Sequence, residues 1–216
     1  MKIPKFVVLA LLLGAFAGSS AYALPIVTVT WATNHSASGG EFILTTTDLG
    51  VFNSFCIEEN EYVSINGKYF YDTSDKAQLG GLNTVGGPYG DPISIGTAWL
   101  YSQFRAGTLS GYSSSSPDDQ TSLQNAFWML ENEISALDPT NPWLILANAA
   151  IAGDLAALRG DANGAYGVFA VNLWTNADGT GPAQSMLGLT VPDGGLTLTL
   201  LGLGLGGLAL LRRKLS

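Results

Sequence analysis

Two apolar runs, one near each end of the chain, limit what the rest can fold into. Lys2 and Lys5 precede the run Phe6 to Ala17, and Ala21-Tyr22-Ala23 follows it. A basic start, a short apolar middle and small residues in an A-x-A pattern read as a secretory signal peptide over residues 1–23, cleaved before Leu24. An uncleaved anchor is the weaker reading, because the run is short. At the other end, Val191-Pro192-Asp193-Gly194-Gly195 leads into the run Leu196 to Leu211 and then into Arg212-Arg213-Lys214. A transmembrane helix is predicted over 196–211. At about 1.5 Å per residue it is short for a relaxed crossing, and the basic cluster would hold its end on the cytoplasmic side. Residues 24–190 are left to build a core, which suits one domain.

Setting the ends aside sharpens the charge balance. The 9 Lys+Arg lose Lys2, Lys5, Arg212, Arg213 and Lys214, and the 17 Asp+Glu lose Asp193. Four cations (Lys68, Lys76, Arg105 and Arg159) then face sixteen acids, a net charge near -12. Such a body repels polyanions, so nucleic acid is excluded as a partner. No G-x-x-x-x-G-K-[ST] loop offers a nucleotide site. His35, the sole histidine, cannot build a zinc site with one cysteine. Asp161-Ala162-Asn163-Gly164 and Asn176-Ala177-Asp178-Gly179 lack the full calcium-loop spacing and read as turns. No metal, cofactor or catalytic residue is expected. With no G-x-S-x-G run either, the chain does not read as an enzyme.

The turn motif, marginal apolar helix and basic stop together resemble the PEP-CTERM sorting tail of Gram-negative bacteria, here over 191–216. The motif reads Val191-Pro192-Asp193-Gly194-Gly195 in place of Val-Pro-Glu-Pro. The resemblance implies an exosortase-like processing enzyme as partner and an inner-membrane-anchored precursor. The final location would be the outer surface or the extracellular matrix. A plain tail anchor is the competing reading.

Within the body, strands are predicted at Ile26 to Trp31, Glu41 to Thr47, Val51 to Glu58, Tyr62 to Ile65 and Lys68 to Tyr71, with Asn66-Gly67 as a two-residue hairpin signal. Ile93, Thr97, Leu100 and Phe104 space as one helix face ending before Gly107. A second helix, capped by Asp118 or Asp119, carries the stripe Leu123, Phe127, Leu130, Ile134 and Leu137. A third opens at Asn141-Pro142 and runs to Arg159. Tyr166 to Trp174 returns to strand. The expected fold is α+β: a β-rich first part, barrel- or sandwich-like, then three helices and a closing strand.

Cys56 is the only cysteine, so an intramolecular disulfide is impossible. It could be a small buried apolar side chain, an intermolecular disulfide partner, a reactive thiol or part of another covalent bond. Phe55-Cys56-Ile57-Glu58 and Leu123-Gln124-Asn125-Ala126-Phe127-Trp128 resemble the paired signature of thioester domains in bacterial surface adhesins. The resemblance spans roughly Trp31 to Asn172. It implies a thioester-domain-like fold over 24–190 and a bond between the Cys56 sulfur and the Gln124 acyl carbon, a trap for an amine-bearing surface ligand. Strand alternation puts Phe55 and Ile57 on one face and Cys56 on the other. Gln124, Trp128 and Glu131 form a row on the helix. Phe55, Phe127 and Trp128 would exclude water, while Glu58 and Glu131 are candidates to move protons. The alternative is a noncovalent matrix or biofilm protein in which Cys56 and Gln124 only pack.

Overall fold

The computed structural model describes residues 23–35, 39–79, 90–134 and 137–190. The sorting tail with its apolar run, and all of the signal segment except Ala23, lie outside them. Six strands form one antiparallel sheet: β1 (Ile26–Trp31), β2 (Phe42–Thr46), β3 (Val51–Ser54), β4 (Lys68–Ser74), β7 (Val168–Trp174) and β8 (Pro182–Leu189), in the order β3-β2-β1-β4-β7-β8. Two short strands, β5 (Lys76–Ala77) and β6 (Asp91–Pro92), pair separately.

Alternation in the sequence sets the register. Val29 lies across from Leu44, Leu44 from Phe52, Val27 from Tyr69, Tyr71 from Leu173 and Val171 from Met186. One apolar face therefore runs through all six strands as a single buried cluster. A one-residue slip would turn that row outward, so burial fixes the pairing.

The opposite face of β7 and β8 offers Val168, Ala170 and Leu187 to the helices, forming a second cluster. Helix α1 (Ile95–Ala106) starts at Ser94, whose hydroxyl accepts from Thr97 N, and ends at Gly107 in the left-handed region, φ 69°. Helix α2 (Pro117–Leu130) starts at Ser116, with Pro117 at its first turn. Helix α3 (Pro142–Ala147) starts at Asn141, which accepts from Trp143 N and Leu144 N.

Several expectations need correction. The sheet is open, neither barrel nor sandwich; one isolated bridge, Cys56↔Met186, links the region after β3 to β8. Asn66 and Gly67 do turn the chain, with Gly67 N donating to Ser64 O. Tyr62 to Ile65 is not a strand, however: β4 pairs with β1 and β7, and Asn66 N donates to Val29 O. Ser116 caps α2, while Asp118 and Asp119 lie in its first turn, where carboxylates favour the helix dipole. That helix ends at Leu130, since Asn132 is left-handed at φ 61°. The third helix changes to a π turn at Asn148–Ala152. It stops at Gly153 (φ 69°) and resumes as a 3-10 turn at Leu155–Arg159. Strand β8, across a turn closed by Thr175 N to Gly181 O, has no counterpart among the predicted strands.

Candidate functional site

Cys56 lies just beyond β3, where the chain crosses to β8. Ile57 N donates to Ser185 O at 2.9 Å, and Leu187 N donates to Phe55 O at 3.0 Å. In an antiparallel pair alternate residues aim their polar groups to opposite sides. The groups of Phe55 and Ile57 therefore go to β8, and those of Cys56 point away from it. A buried N–H and C=O need partners. Gln124, fully buried on α2, supplies both: its Oε1 accepts from Cys56 N at 3.0 Å, and its Nε2 donates to Cys56 O at 2.8 Å. Two residues 68 positions apart are thereby clamped together.

The Cys56 side chain belongs to the sheet cluster, with Sγ 3.9 Å from Met186 Sδ. Burial, and then the charges of Glu61 and Glu58, push its thiol well above the ordinary range, so it holds its proton. Phe55 and Phe127 lie on the other side, in the helix cluster, with ring centroids 5.2 Å apart. Each is fully buried, contributing roughly 1.5–3 kcal/mol to the wall behind the site. Trp128 packs against the sheet cluster. Gly39 backs it closely: at φ 103° a Cβ there would lie 3.1 Å from Trp128 Cη2 and 3.2 Å from Gln124 Cγ. A larger residue would be strained and would push on both.

The two carboxylates named as proton carriers part company. Glu58, two residues beyond Cys56, is fully buried with both carboxylate oxygens unpartnered among the described residues. Burial, then Glu133, Glu61, Asp91 and Glu131, push its pKa up to about 10. Glu131 instead turns to the start of α1, accepting from Ser94 Oγ at 2.7 Å and from Ser94 N at 3.2 Å. Its pKa still rises to about 7, because burial outweighs those hydrogen bonds. Among the described residues no group of acidic, imidazole or thiol side chains could hold a metal ion.

Beside Cys56 opens a cleft of about 490 Å³, walled by Trp31, Phe42, Tyr62 and Trp128 and carrying Glu59 and Glu61. Met186, Gly39, Tyr62 and Glu61 were not legible as site residues. Met186 sits on the unpredicted strand, and the other three reach the site only through tertiary packing.

A family model for the VPDSG-CTERM motif matches residues 190–215. The chain therefore carries a C-terminal sorting motif of the PEP-CTERM-like kind. The motif implies an exported, surface-associated protein processed by an exosortase-type enzyme. The match covers the tail alone. No curated protein and no solved structure matches the chain, so the likeness of the body to thioester adhesins has no support from relatives.

Proposed function

We propose that this exosortase-sorted protein works at the outer surface or in the extracellular matrix of a Gram-negative bacterium as a covalent adhesin. The reactive bond is an internal thioester between Cys56 and Gln124, and the chain is not an enzyme. Its precursor is anchored in the inner membrane by residues 196–211. The supporting observation is the two-point clamp of the Gln124 carboxamide on the Cys56 backbone, next to an open cleft. Holding the two groups together makes acyl transfer effectively unimolecular.

In bond formation the Cys56 sulfur attacks the Gln124 amide carbon. The C–N bond breaks, and ammonia leaves with the thiol proton. An incoming amine then attacks the same carbon, the C–S bond breaks, and a proton passes from the amine to the sulfur. The product is an amide to the target and a free thiol.

A second reading, a noncovalent matrix protein, is favoured by the same clamp, because those hydrogen bonds already satisfy the carboxamide. The intact mass of the mature, unreduced protein separates the two. A thioester leaves it lighter by one ammonia, Cys56 resists alkylation, and methylamine adds to Gln124. An unmodified mass with Cys56 freely alkylated after mild unfolding would remove the adhesin mechanism.

A further inference from the structure

Gln124 is fully buried, so an amine that attacks its carbonyl carbon has to pass the lining of the cleft beside Cys56. Gly39, Cys56, Asn125 and Trp128 belong to that lining, and of these four Gly39 has no side chain. The place its side chain would take is bounded on both sides. A Cβ there would lie 3.2 Å from Gln124 Cγ and 3.1 Å from Trp128 Cη2, closer than the usual carbon contact of about 3.5–4.0 Å. Gly39 thus touches the cleft and the glutamine stem at once, and leaves between them a slot about one methyl wide.

The backbone that borders the slot is pinned. Gln120 lies one turn before Gln124 on the same face of α2 and is equally buried. Its Nε2 donates to Thr33 O at 3.3 Å, and its Oε1 accepts from Glu41 N at 3.3 Å. Tyr112 Oη holds the Glu41 carboxylate as well, donating at 2.7 Å. Two glutamines one turn apart divide the work: Gln124 clamps Cys56, and Gln120 fixes the chain two residues after Gly39. At φ 103° that chain also suits glycine over any other residue.

We propose that the missing side chain of Gly39 is the port through which a nucleophile passes from the cleft to the Gln124 carbonyl carbon, and that its width restricts the target to a primary amine on an unbranched carbon. This rests on the adhesin reading. The nitrogen enters between Gly39 and Trp128 and bonds to the carbonyl carbon. The C–S bond breaks, and a proton passes from nitrogen to sulfur. A methylene beside the nitrogen fits a methyl-wide slot, whereas a branched carbon presses on the indole and on a backbone that Gln120 keeps from yielding.

The test offers methylamine and isopropylamine, primary amines that differ in bulk beside the nitrogen, to the full chain in detergent, with uptake timed by intact mass. The wild type should favour methylamine by at least about tenfold beyond the preference of a short thioester peptide. Trp128→Phe removes the outer ring that carries Cη2 and, because Nε1 has no hydrogen-bond partner among the described residues, loses no hydrogen bond. It should narrow that preference several-fold, and a ratio is insensitive to faster hydrolysis, which drains both reactions alike. Gly39→Ala should slow methylamine uptake about tenfold with the ammonia-loss mass kept, and the double variant with Trp128→Phe should recover part of the rate. A wild-type preference no greater than the peptide's, or one unchanged in Trp128→Phe, would overturn the port, even if Gly39→Ala fails to fold. If the wild type has lost ammonia but shows no such preference, the adhesin reading stands and the port does not. An unmodified wild-type mass discards both.

Discussion

Glu58 makes the stability of this protein fall as pH rises, and Glu58→Gln should abolish much of that fall. The carboxyl is fully buried, and its pKa of about 10 in the folded chain compares with 4.5 when unperturbed. Below pH 4.5 the group is protonated in both states and the difference contributes nothing against folding. Above it the unfolded chain releases the proton while the folded chain keeps it. Stability then declines until the folded group also ionises near pH 10. Each pH unit is worth about 1.4 kcal/mol for one group, so the decline between pH 5 and 8 approaches 4 kcal/mol as an upper bound. Glu131, at about 7, steepens the lower part of that window, and Asp91, at about 6, adds over a narrower range. Urea unfolding at pH 5, 6.5 and 8 measures this directly. The wild type should lose several kcal/mol across the series, and Glu58→Gln should be more stable than wild type at pH 8 by about 2–4 kcal/mol while matching it near pH 4.5. Stability that stays level or rises from pH 5 to 8 would refute the claim that Glu58 is held as a neutral acid.

Other outcomes follow from the same packing. Gln124→Leu should destabilise the protein by about 2–4 kcal/mol in urea unfolding, because it leaves both backbone groups of Cys56 buried without partners. Gly96→Val should cost about 1–3 kcal/mol by the same assay. A Cβ at Gly96 would already lie 2.8 Å from Leu130 Cδ2 and 3.0 Å from the Leu158 carbonyl. Deleting residues 191–216 should change where the protein accumulates on cell fractionation, and an unchanged distribution would count against the sorting role.

The parts of the fold read from sequence are those where side-chain period and burial agree. Ile26–Trp31 alternates and sits in mid-sheet, and the Val27 and Val29 face is wholly buried. Asn141-Pro142 opens a helix because the asparagine side chain and the proline φ both suit that start. The failures have local causes. Asn132 and Gly153 adopt left-handed backbone that cuts helices whose apolar stripe continues past them. Pro182–Leu189 carries a proline, a glutamine, a serine and a glycine, and so reads as loop, yet five of its eight residues are buried. Gln184 there donates to Glu58 O and Ser185 Oγ donates to Asn172 Oδ1, so the polar side chains are consumed inside the fold. In the site, Cys56 and Gln124 were paired by their motifs, whereas the amide clamp between them arises from the unread β8. That strand takes the neighbours' hydrogen bonds and leaves those of Cys56 for the glutamine.

Within the proposed adhesin chemistry we propose a role for Glu58 beyond its effect on stability. Forming a thioester creates no charge in the buried site, so the acidic surroundings do not oppose it. Amine attack is different, because the departing sulfur carries a negative charge until it takes a proton. Burial and the neighbouring Glu61 raise the cost of that thiolate. Glu58, two residues on, is held protonated and in this proposal donates as the C–S bond breaks, regaining a proton from the attacking amine. Glu58→Gln keeps the shape but has no acidic proton to give. It should therefore slow methylamine uptake by about 10²-fold while leaving the ammonia-loss mass intact. Uptake timed by mass spectrometry between pH 6 and 9 checks this, with Glu131→Gln as comparison, since that carboxylate faces Ser94. Equal rates in wild type and Glu58→Gln would make the buried acid a spectator to the chemistry.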